Sequence, residues 1–293
     1  MKYFEKHPML MIAIGVIGIS LSSIFVRLSQ APSAVTAAYR LLWTVLLLTP
    51  AALGNRQNRE ELKNAPPKLI VLSVLSGLFL AIHFFLWFES LQHTSVASST
   101  TIVCTEVIWV CLGFCLFLKG RISKKAAAAI AVTLLGSVLI ALADSGEGEG
   151  HLEGDILAVL AAVCSAVYML FGRSAQKKLS TTVYTYLVYG SCALVLVVIC
   201  LIQGNGLLAS GMNPVVVGAA LALFSTILGH TIFSWALKFY SPSFVSACKL
   251  LEPVGAGILA VFLFGEIPAP VALLGAVLIL AGVWYYSRIE KKA

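Results

Sequence analysis

Hydrophobic residues fill this chain in long blocks rather than in the alternating pattern of strands. The blocks lie at roughly 9–29, 33–53, 69–91, 95–118, 124–143, 155–175, 181–202, 214–237, 242–265 and 269–287. An apolar helix of about twenty residues crosses a hydrocarbon core of ~30 Å. The pattern therefore predicts ten transmembrane helices, numbered here in chain order as spans 1 to 10.

Composition supports an all-α polytopic membrane protein. Of the 293 residues, 59% are hydrophobic and 11% are charged, with mean hydropathy +0.95; a soluble domain carries about a quarter charged residues. A β-barrel would need strict alternation, whereas stretches such as "AVLAAVCSAVYMLF" are apolar on every side. The first block imitates a signal peptide, but it is long for one and nine more follow, so we expect an uncleaved span.

The net charge of +7 is unevenly distributed. Counting the connections alternately, 17 of the 20 basic residues lie in or beside connections on one side of the membrane. The opposite side carries the acidic stretch "DSGEGEGHLEGD". Since excess Lys and Arg mark cytoplasmic loops, we expect both termini to be cytoplasmic and the protein to lie in the cell membrane. The charge reflects orientation, and we expect no nucleic-acid partner.

The two halves of the chain match at an offset of 146 residues. At this offset Arg27 falls on Arg173, Glu106 on Glu252 and Gly136 on Gly282. Each half holds five spans, so the second half enters the membrane upside down relative to the first. Inverted repeats are typical of secondary transporters, whose substrate site lies near the midplane between the halves. We predict repeats over 1–146 and 147–293 around a central cavity.

Three segments carry a resemblance to a known family. They read "AAYRLLWTVLLL", "LQHTSVASSTTIVCTEVIWVCLGFCLFLKGRIS" and "LKFYSPSFVSACKLLEPVGAGILAVFLFGEIPAPVALLGAVLILAGV". Together they resemble the EamA-type permeases of the drug/metabolite transporter superfamily, across nearly the whole chain. The resemblance implies a cavity lined mainly by spans 1, 3, 4, 6, 8 and 9, which opens alternately to each side, and transport of small metabolites such as amino acids. The first half departs from the pattern: Val107 stands where a proline often follows the glutamate, and "KGR" replaces the "GE" of the second half.

Ionisable residues inside spans are the first candidates for a binding site. Glu106 and Glu252 lie near the middle of spans 4 and 9. Such a group costs roughly 2.5–3.5 kcal/mol at the centre of a span, so it usually faces a cavity or a partner. We expect either contact with a substrate amine or a proton, or hydrogen bonds that hold the bundle together.

Lys249 precedes Glu252 by three residues, so the two side chains share a helix face and are predicted to pair. The pair is either structural, or it faces the cavity and opens when a zwitterionic substrate competes for one partner. Pro253 is expected to kink span 9, either as part of a gate or as a static bend.

His83 and His230 lie in the corresponding spans 3 and 8, and Trp87 follows His83 by one turn. Polar groups beside aromatic rings suit a small-molecule site, so we expect these residues to line the cavity. The alternative is that the histidines bond carbonyls across helices and the tryptophan only packs.

The remaining polar and small residues favour structural roles. Arg40 in span 2 is expected to snorkel to the interface or to form a structural pair. Arg27 and Arg173 are expected to anchor span ends at the interface. Small residues in spans 5 and 10 favour close packing within the chain over a homodimer seam.

These observations predict a secondary transporter for a small polar metabolite, with amino acids or related zwitterions as the expected class. The alternatives are an intramembrane enzyme, a channel and a non-transporting sensor. The sequence has no GxSxG, HExxH or P-loop pattern, no mid-span aspartate, and no CxxC or CxxH among seven cysteines. We therefore expect no catalytic residue, metal or cofactor, and only the substrate and the bilayer as partners.

The orientation is testable by cysteine labelling in intact cells. A cysteine placed in the "GEGEG" stretch, residues 146–150, should react with an impermeant reagent added outside, because the positive-inside rule puts that connection outside. A cysteine beside Lys124 is the matched control and should stay unlabelled. The reverse pattern would overturn the orientation.

Overall fold

Ten long helices run back and forth through the bundle. The computed structural model describes residues 8–94, 96–144, 152–265 and 267–290, and this part of the chain contains no strand. The spans, in order, are Pro8–Arg27, Ser33–Gly54, Pro67–His93, Ser99–Phe117, Lys124–Ala143, Leu152–Gln176, Thr181–Ile202, Asn213–Ala236, Pro242–Leu263 and Pro270–Ile289. The prediction of ten membrane-spanning helices is confirmed.

Local chemistry sets where several spans begin and end. Spans 3 and 9 start with proline in the first turn, where its missing N–H costs nothing. Ser241 caps span 9 by accepting the Phe244 N–H at 3.2 Å. Gly265 ends that span in the left-handed region, with φ +69°. A short helix that the sequence pattern did not indicate, Arg56–Asn64, connects spans 2 and 3.

The two halves pack as inverted repeats. Span 3 lies against span 6, and its counterpart span 8 lies against span 1. Spans 2 and 7 pack together, as do spans 5 and 10. Each of these contacts has its mirror image at the offset of 146 residues, so the predicted fold class is confirmed. The predicted boundary between residues 146 and 147 falls in a segment outside the described residues.

The seam between spans 5 and 10 is built on glycine. A Cβ added to Gly136 would lie 2.5 Å from the carbonyl oxygen of Gly275, and one added to Gly282 would lie 3.0 Å from that of Ala129. Since 129 and 275 are also 146 apart, the two contacts are mirror images. The small residues of spans 5 and 10 thus bring two backbones together within the chain, as predicted.

Spans 4 and 9 are each broken near the middle. Span 4 consists of helices Val96–Cys104 and Glu106–Phe117, and span 9 of Pro242–Lys249 and Glu252–Phe264. At each break a backbone N–H bonds three residues back: Thr105 to Ile102 at 3.0 Å and Leu251 to Cys248 at 3.2 Å. Thr105 and Leu251 are 146 apart, so both repeats carry the same break.

A proline is present beside the break in span 9 but not at the matching place in span 4. Pro253 lies in the first turn of the second half of span 9, where proline suits a helix start, and Val107 stands at the matching place in span 4. In span 4 the Thr105 hydroxyl bonds the Ile102 carbonyl at 2.6 Å and satisfies the tight turn. The kink expected at Pro253 is therefore a break that begins before the proline. It leaves Glu106 and Glu252 as the first residues of half-helices.

The glycine seam generates a stability prediction. Gly136→Ala should destabilise the protein by about 1–3 kcal/mol, because the new methyl group meets backbone that cannot move aside easily. Gly190→Ala in span 7 is the control, since a Cβ there meets nothing within 4 Å. The control should be neutral or stabilise by up to about 1 kcal/mol. Thermal unfolding in detergent measures both variants. Equal shifts in unfolding temperature would contradict the prediction that Gly136 is needed for the close approach of spans 5 and 10.

Candidate substrate cavity

A central cavity lies between the two repeats. Its walls come from spans 1, 3, 4, 8 and 9, and the lining residues are Ile19, Ser22, His83, Trp87, Thr100, Val103, Cys104, Glu106, His230, Ser246, Lys249, Leu250 and Glu252. All six residues singled out in the sequence as cavity candidates lie in this one wall. Span 6, which the family resemblance implies as a wall, contributes no lining residue.

The Glu106 carboxylate accepts four hydrogen bonds from three side chains. Lys249 Nζ lies 2.7 Å from Oε1 and 2.8 Å from Oε2. The Ser246 hydroxyl donates to Oε1 at 3.0 Å, and the Ser165 hydroxyl donates to Oε2. The side chains of Lys249 and Glu106 are 12% and 4% exposed. A buried pair of this kind is tolerated when its geometry is good and its remaining lone pairs are satisfied, as they are here.

The predicted pairing of Lys249 with Glu252 is wrong. Lys249 ends one half of span 9 and Glu252 begins the other. The turn between them breaks the continuous helix on which the shared face depended. Glu106, from span 4, instead presents both oxygens to the lysine.

Glu252 is left with its carboxylate in the cavity wall. Within the described part of the chain no donor bonds this carboxylate; Ser20 donates only to the Glu252 backbone oxygen, at 3.2 Å. Its place at the start of a half-helix offers partial compensation, because the N-terminal end of a helix carries positive partial charge. The cavity wall thus holds the Glu106 carboxylate, paired with Lys249, and the Glu252 carboxylate, which can accept a hydrogen bond from a bound molecule.

An aromatic group forms the wall on the side of span 3. His83 and Trp87 stack with centroids 6.3 Å apart and planes 8° apart, and Phe84 meets His230 edge-on at 5.2 Å. His83 Nδ1 lies 3.0 Å from the Ala161 carbonyl oxygen of span 6, which can only accept, so Nδ1 carries the proton. His83 therefore both bonds a carbonyl across helices and lines the cavity.

Trp87 adds the indole N–H as a hydrogen-bond donor in the cavity wall. Its Nε1 is buried and has no hydrogen-bond partner among the described residues. A buried indole N–H usually finds a partner, so this one is available to a molecule in the cavity.

Arg40 does not snorkel; that expectation is wrong. The side chain is fully buried, donates from Nε to Thr226 at 2.8 Å and from Nη1 to Ser22 at 3.3 Å, and lies 4.2 Å above the Phe84 ring. Neighbours from spans 1, 3 and 8 thus contact the guanidinium, while its buried Nη2 has no hydrogen-bond partner among the described residues. The alternative expectation, a structural pairing, describes the contact.

Arg173 lies in the last turn of span 6, and its role at the membrane interface stays a prediction. It is buried, and its Nη1 donates to the carbonyl oxygens of Leu237 and, at 3.0 Å, Tyr240. These carbonyls lie at and just after the end of span 8, so Arg173 holds that end against span 6. Its counterpart Arg27 is exposed at the end of span 1.

The contacts between spans 4 and 9 differ at the two ends of the bundle. We call the end with the connections 55–66, 118–123, 177–180 and 237–241 the basic end, and the other the far end. The basic-end halves of spans 4 and 9 lie against each other, and no comparable contact joins the described parts of their far-end halves. Trp87 and Thr100 line the cavity in far-end halves of their spans. Among the described residues, spans 4 and 9 are therefore joined more closely at the basic end than at the far end.

The mirror image of the cavity is nearly closed. A smaller space lies toward the basic end, and its lining includes Tyr168 and Phe233, the counterparts of Ser22 and Trp87. The Tyr168 and Ser234 hydroxyls meet at 2.7 Å across spans 6 and 8. The two repeats therefore line unequal spaces at corresponding positions.

Sequence reasoning missed the hydroxyl residues of the site. Ser165 and Ser246 complete the Glu106 site, and Thr100 and Ser22 line the cavity. Serine and threonine are too frequent in membrane helices to stand out. The one available signal was that Thr100 and Ser246 are 146 residues apart.

The fold and the cavity define an inverted-repeat membrane transporter. The EamA-like transporter family matches residues 7–142 and again 152–288, so the chain belongs to that family and to the drug/metabolite transporter superfamily. This finding confirms the resemblance.

Individual relatives agree with the family. An uncharacterized transporter YxxF of Bacillus subtilis (strain 168) is 27% identical over 255 residues, covering 86% of this chain and 80% of the relative. An uncharacterized transporter of Archaeoglobus fulgidus is 25% identical, covering 89% of each chain. One solved crystal structure superposes with a TM-score of 0.79 at 16% identity, covering 97% of this chain and 98% of that one. At this identity the superposition speaks for the fold alone.

The ion pair predicts a strong coupling between two substitutions. Glu106→Gln or Lys249→Met alone leaves a buried charge without its partner and should destabilise the protein by roughly 3–5 kcal/mol. The double variant should cost clearly less than the sum of the two single variants. Thermal unfolding of the four proteins measures the coupling. Additive shifts would show that the pair has no energetic role.

Proposed function

We propose that this protein transports a small zwitterion, with amino acids as the expected class, across the cell membrane by alternating access. The observation that carries the proposal is the charge arrangement of the cavity. Lys249 is paired with Glu106, while the Glu252 carboxylate in the same wall has no partner among the described residues. No chemical change of the substrate is proposed.

The two ends of a zwitterion match this arrangement. A substrate ammonium group would pair with Glu252, and a substrate carboxylate would compete with Glu106 for Lys249 and accept the free Trp87 N–H. A ligand shifts a conformational equilibrium only by binding one state better than the other. A carboxylate that replaces Glu106 at Lys249 does this, because it weakens the contact that joins spans 4 and 9.

The cavity wall also offers a surface for the rest of the substrate. The His83 and Trp87 rings provide a wall for an apolar or aromatic substrate side chain. We propose His83, Trp87, His230, Lys249 and Glu252 as the substrate contacts, with Glu106 as the internal competitor for Lys249.

We propose that the basic end faces the cytoplasm and that the structure is open to the outside. The support is the excess of Lys and Arg at that end. With no P-loop in the sequence, transport would be driven by a gradient of an ion or of the substrate itself.

Uptake into proteoliposomes tests the proposal. Purified protein should exchange one or more labelled amino acids across the vesicle membrane. Glu252→Gln should fold normally and lose most of that flux, since the amide cannot pair with the substrate ammonium; Lys249→Met should change the order of preferred substrates. Glu89→Gln is the matched control, because Glu89 lies in span 3 but outside the cavity lining.

Two results would count against the proposal. Normal flux by Glu252→Gln would remove that carboxylate from the site. A screen in which no amino acid raises the thermal stability of the purified protein, or moves across the membrane, would reject the substrate class.

A further inference from the structure

The Ser246 hydroxyl, which bonds Glu106, has a counterpart in the first repeat that has no hydrogen-bond partner among the described residues. Ser246 donates to Glu106 at 3.0 Å. At the offset of 146 residues, Ser246 corresponds to Thr100 and Glu106 corresponds to Glu252. Thr100 Oγ1 is buried without a hydrogen-bond partner among the described residues, and the Glu252 carboxylate has no donor there either. Both residues line the cavity.

An orphaned buried hydroxyl calls for an explanation, because native proteins satisfy nearly all such groups. Removing a polar group from water without a partner destabilises the state that contains it. The cost is acceptable when the partner is supplied in another state of the same protein. In an inverted-repeat transporter the second state is reached by moving one repeat against the other, and mirror-related contacts are the natural ones to form.

We propose that Thr100 donates a hydrogen bond to Glu252 when the cavity opens toward the basic end. This bond closes the far end, as the Ser246–Glu106 bond closes the basic end in the structure described. Thr100 is thus a positioning residue for the conformational step of transport. The inference rests on the alternating access in the proposed function, but it does not depend on the identity of the substrate.

The closures of the basic end and of the far end are unequal because Lys249 has no cationic counterpart in the first repeat. Its counterpart is Val103, which lies on the cavity wall one turn from Thr100. The basic end is therefore closed by an ion pair and a hydroxyl, whereas the far end would be closed by a hydroxyl alone. It follows that the empty protein rests in the state seen here, and that a single cation decides this preference.

Thiol labelling rates can read out the two states in detergent, where a polar maleimide reaches both ends. One background keeps Cys104, which lines the cavity, as its only thiol and reports opening at the far end. The other replaces all seven cysteines and carries Met169→Cys, which lies in the closed basic-end space and reports opening at that end. The parent protein should label quickly at Cys104 and slowly at Met169→Cys.

Thr100→Val and Ser246→Ala form a matched pair with opposite expected effects. Thr100→Val removes the hydrogen bond expected in the state that opens toward the basic end, so Met169→Cys should label several-fold more slowly. It also removes the unpaired hydroxyl of the structure described here, so thermal stability should rise. Ser246→Ala weakens the present closure, so Met169→Cys should label several-fold faster. A merely structural role would not give shifts of opposite sign.

A charge exchange between the repeats provides a second test. Val103→Lys combined with Lys249→Val moves the cation from Glu106 to Glu252. The preference should then reverse, with Met169→Cys labelling faster than in the parent and Cys104 labelling more slowly. This variant decides the question if Ser246→Ala does not fold, because it retains one cation and one buried pair.

The outcomes separate this inference from the proposed function. If Thr100→Val leaves both rates unchanged, or shifts them in the same direction as Ser246→Ala, Thr100 does not close the far end. If the rates shift as expected while no amino acid is transported, the closure stands and the substrate class falls. If amino acids are transported but the labelling rates of the variants do not change, the proposed function stands and the Thr100–Glu252 closure is rejected.

Discussion

The arrangement of the two repeats depends on one buried ion pair, between Glu106 of span 4 and Lys249 of span 9. A buried ion pair is tolerated when its geometry is good and its remaining lone pairs are satisfied, and Ser165 and Ser246 supply the donors that the lysine does not. The pair joins the repeats on the basic side of the cavity. The transport cycle that we propose requires this pair to separate or another anion to take the place of Glu106.

The broken spans create the conditions for this pair. Each break places the start of a new helix, with its positive partial charge, in the middle of a span. In both repeats a glutamate occupies that place. The break in span 4 forms without proline, so the tight turn is a property of the repeat rather than of Pro253.

A symmetric scaffold carries an asymmetric set of side chains. The glycine seam between spans 5 and 10 is the same in both directions. Lys249 in one repeat and Val103 in the other make the cavity wall unequal in charge. In the alternating access that we propose, a ligand acts by binding one state better than the other, so the proposal depends on these charged residues.

The spans, the inverted repeat and the six candidate residues of the cavity could all be predicted from the chain alone. The spans and the charged candidates rest on the cost of placing a group in hydrocarbon: apolar blocks must be long enough to cross, and a charge in mid-span must face a cavity or a partner. The repeat rests on residues that match at an offset of 146, and the histidines and Trp87 on polar groups beside aromatic rings. The partners could not be predicted. Lys249 bonds a residue 143 positions away rather than one three positions away, and Arg40 finds Thr226 across the bundle instead of the interface. Those choices depend on which helices meet and where a helix breaks, and such contacts arise only when the bundle assembles.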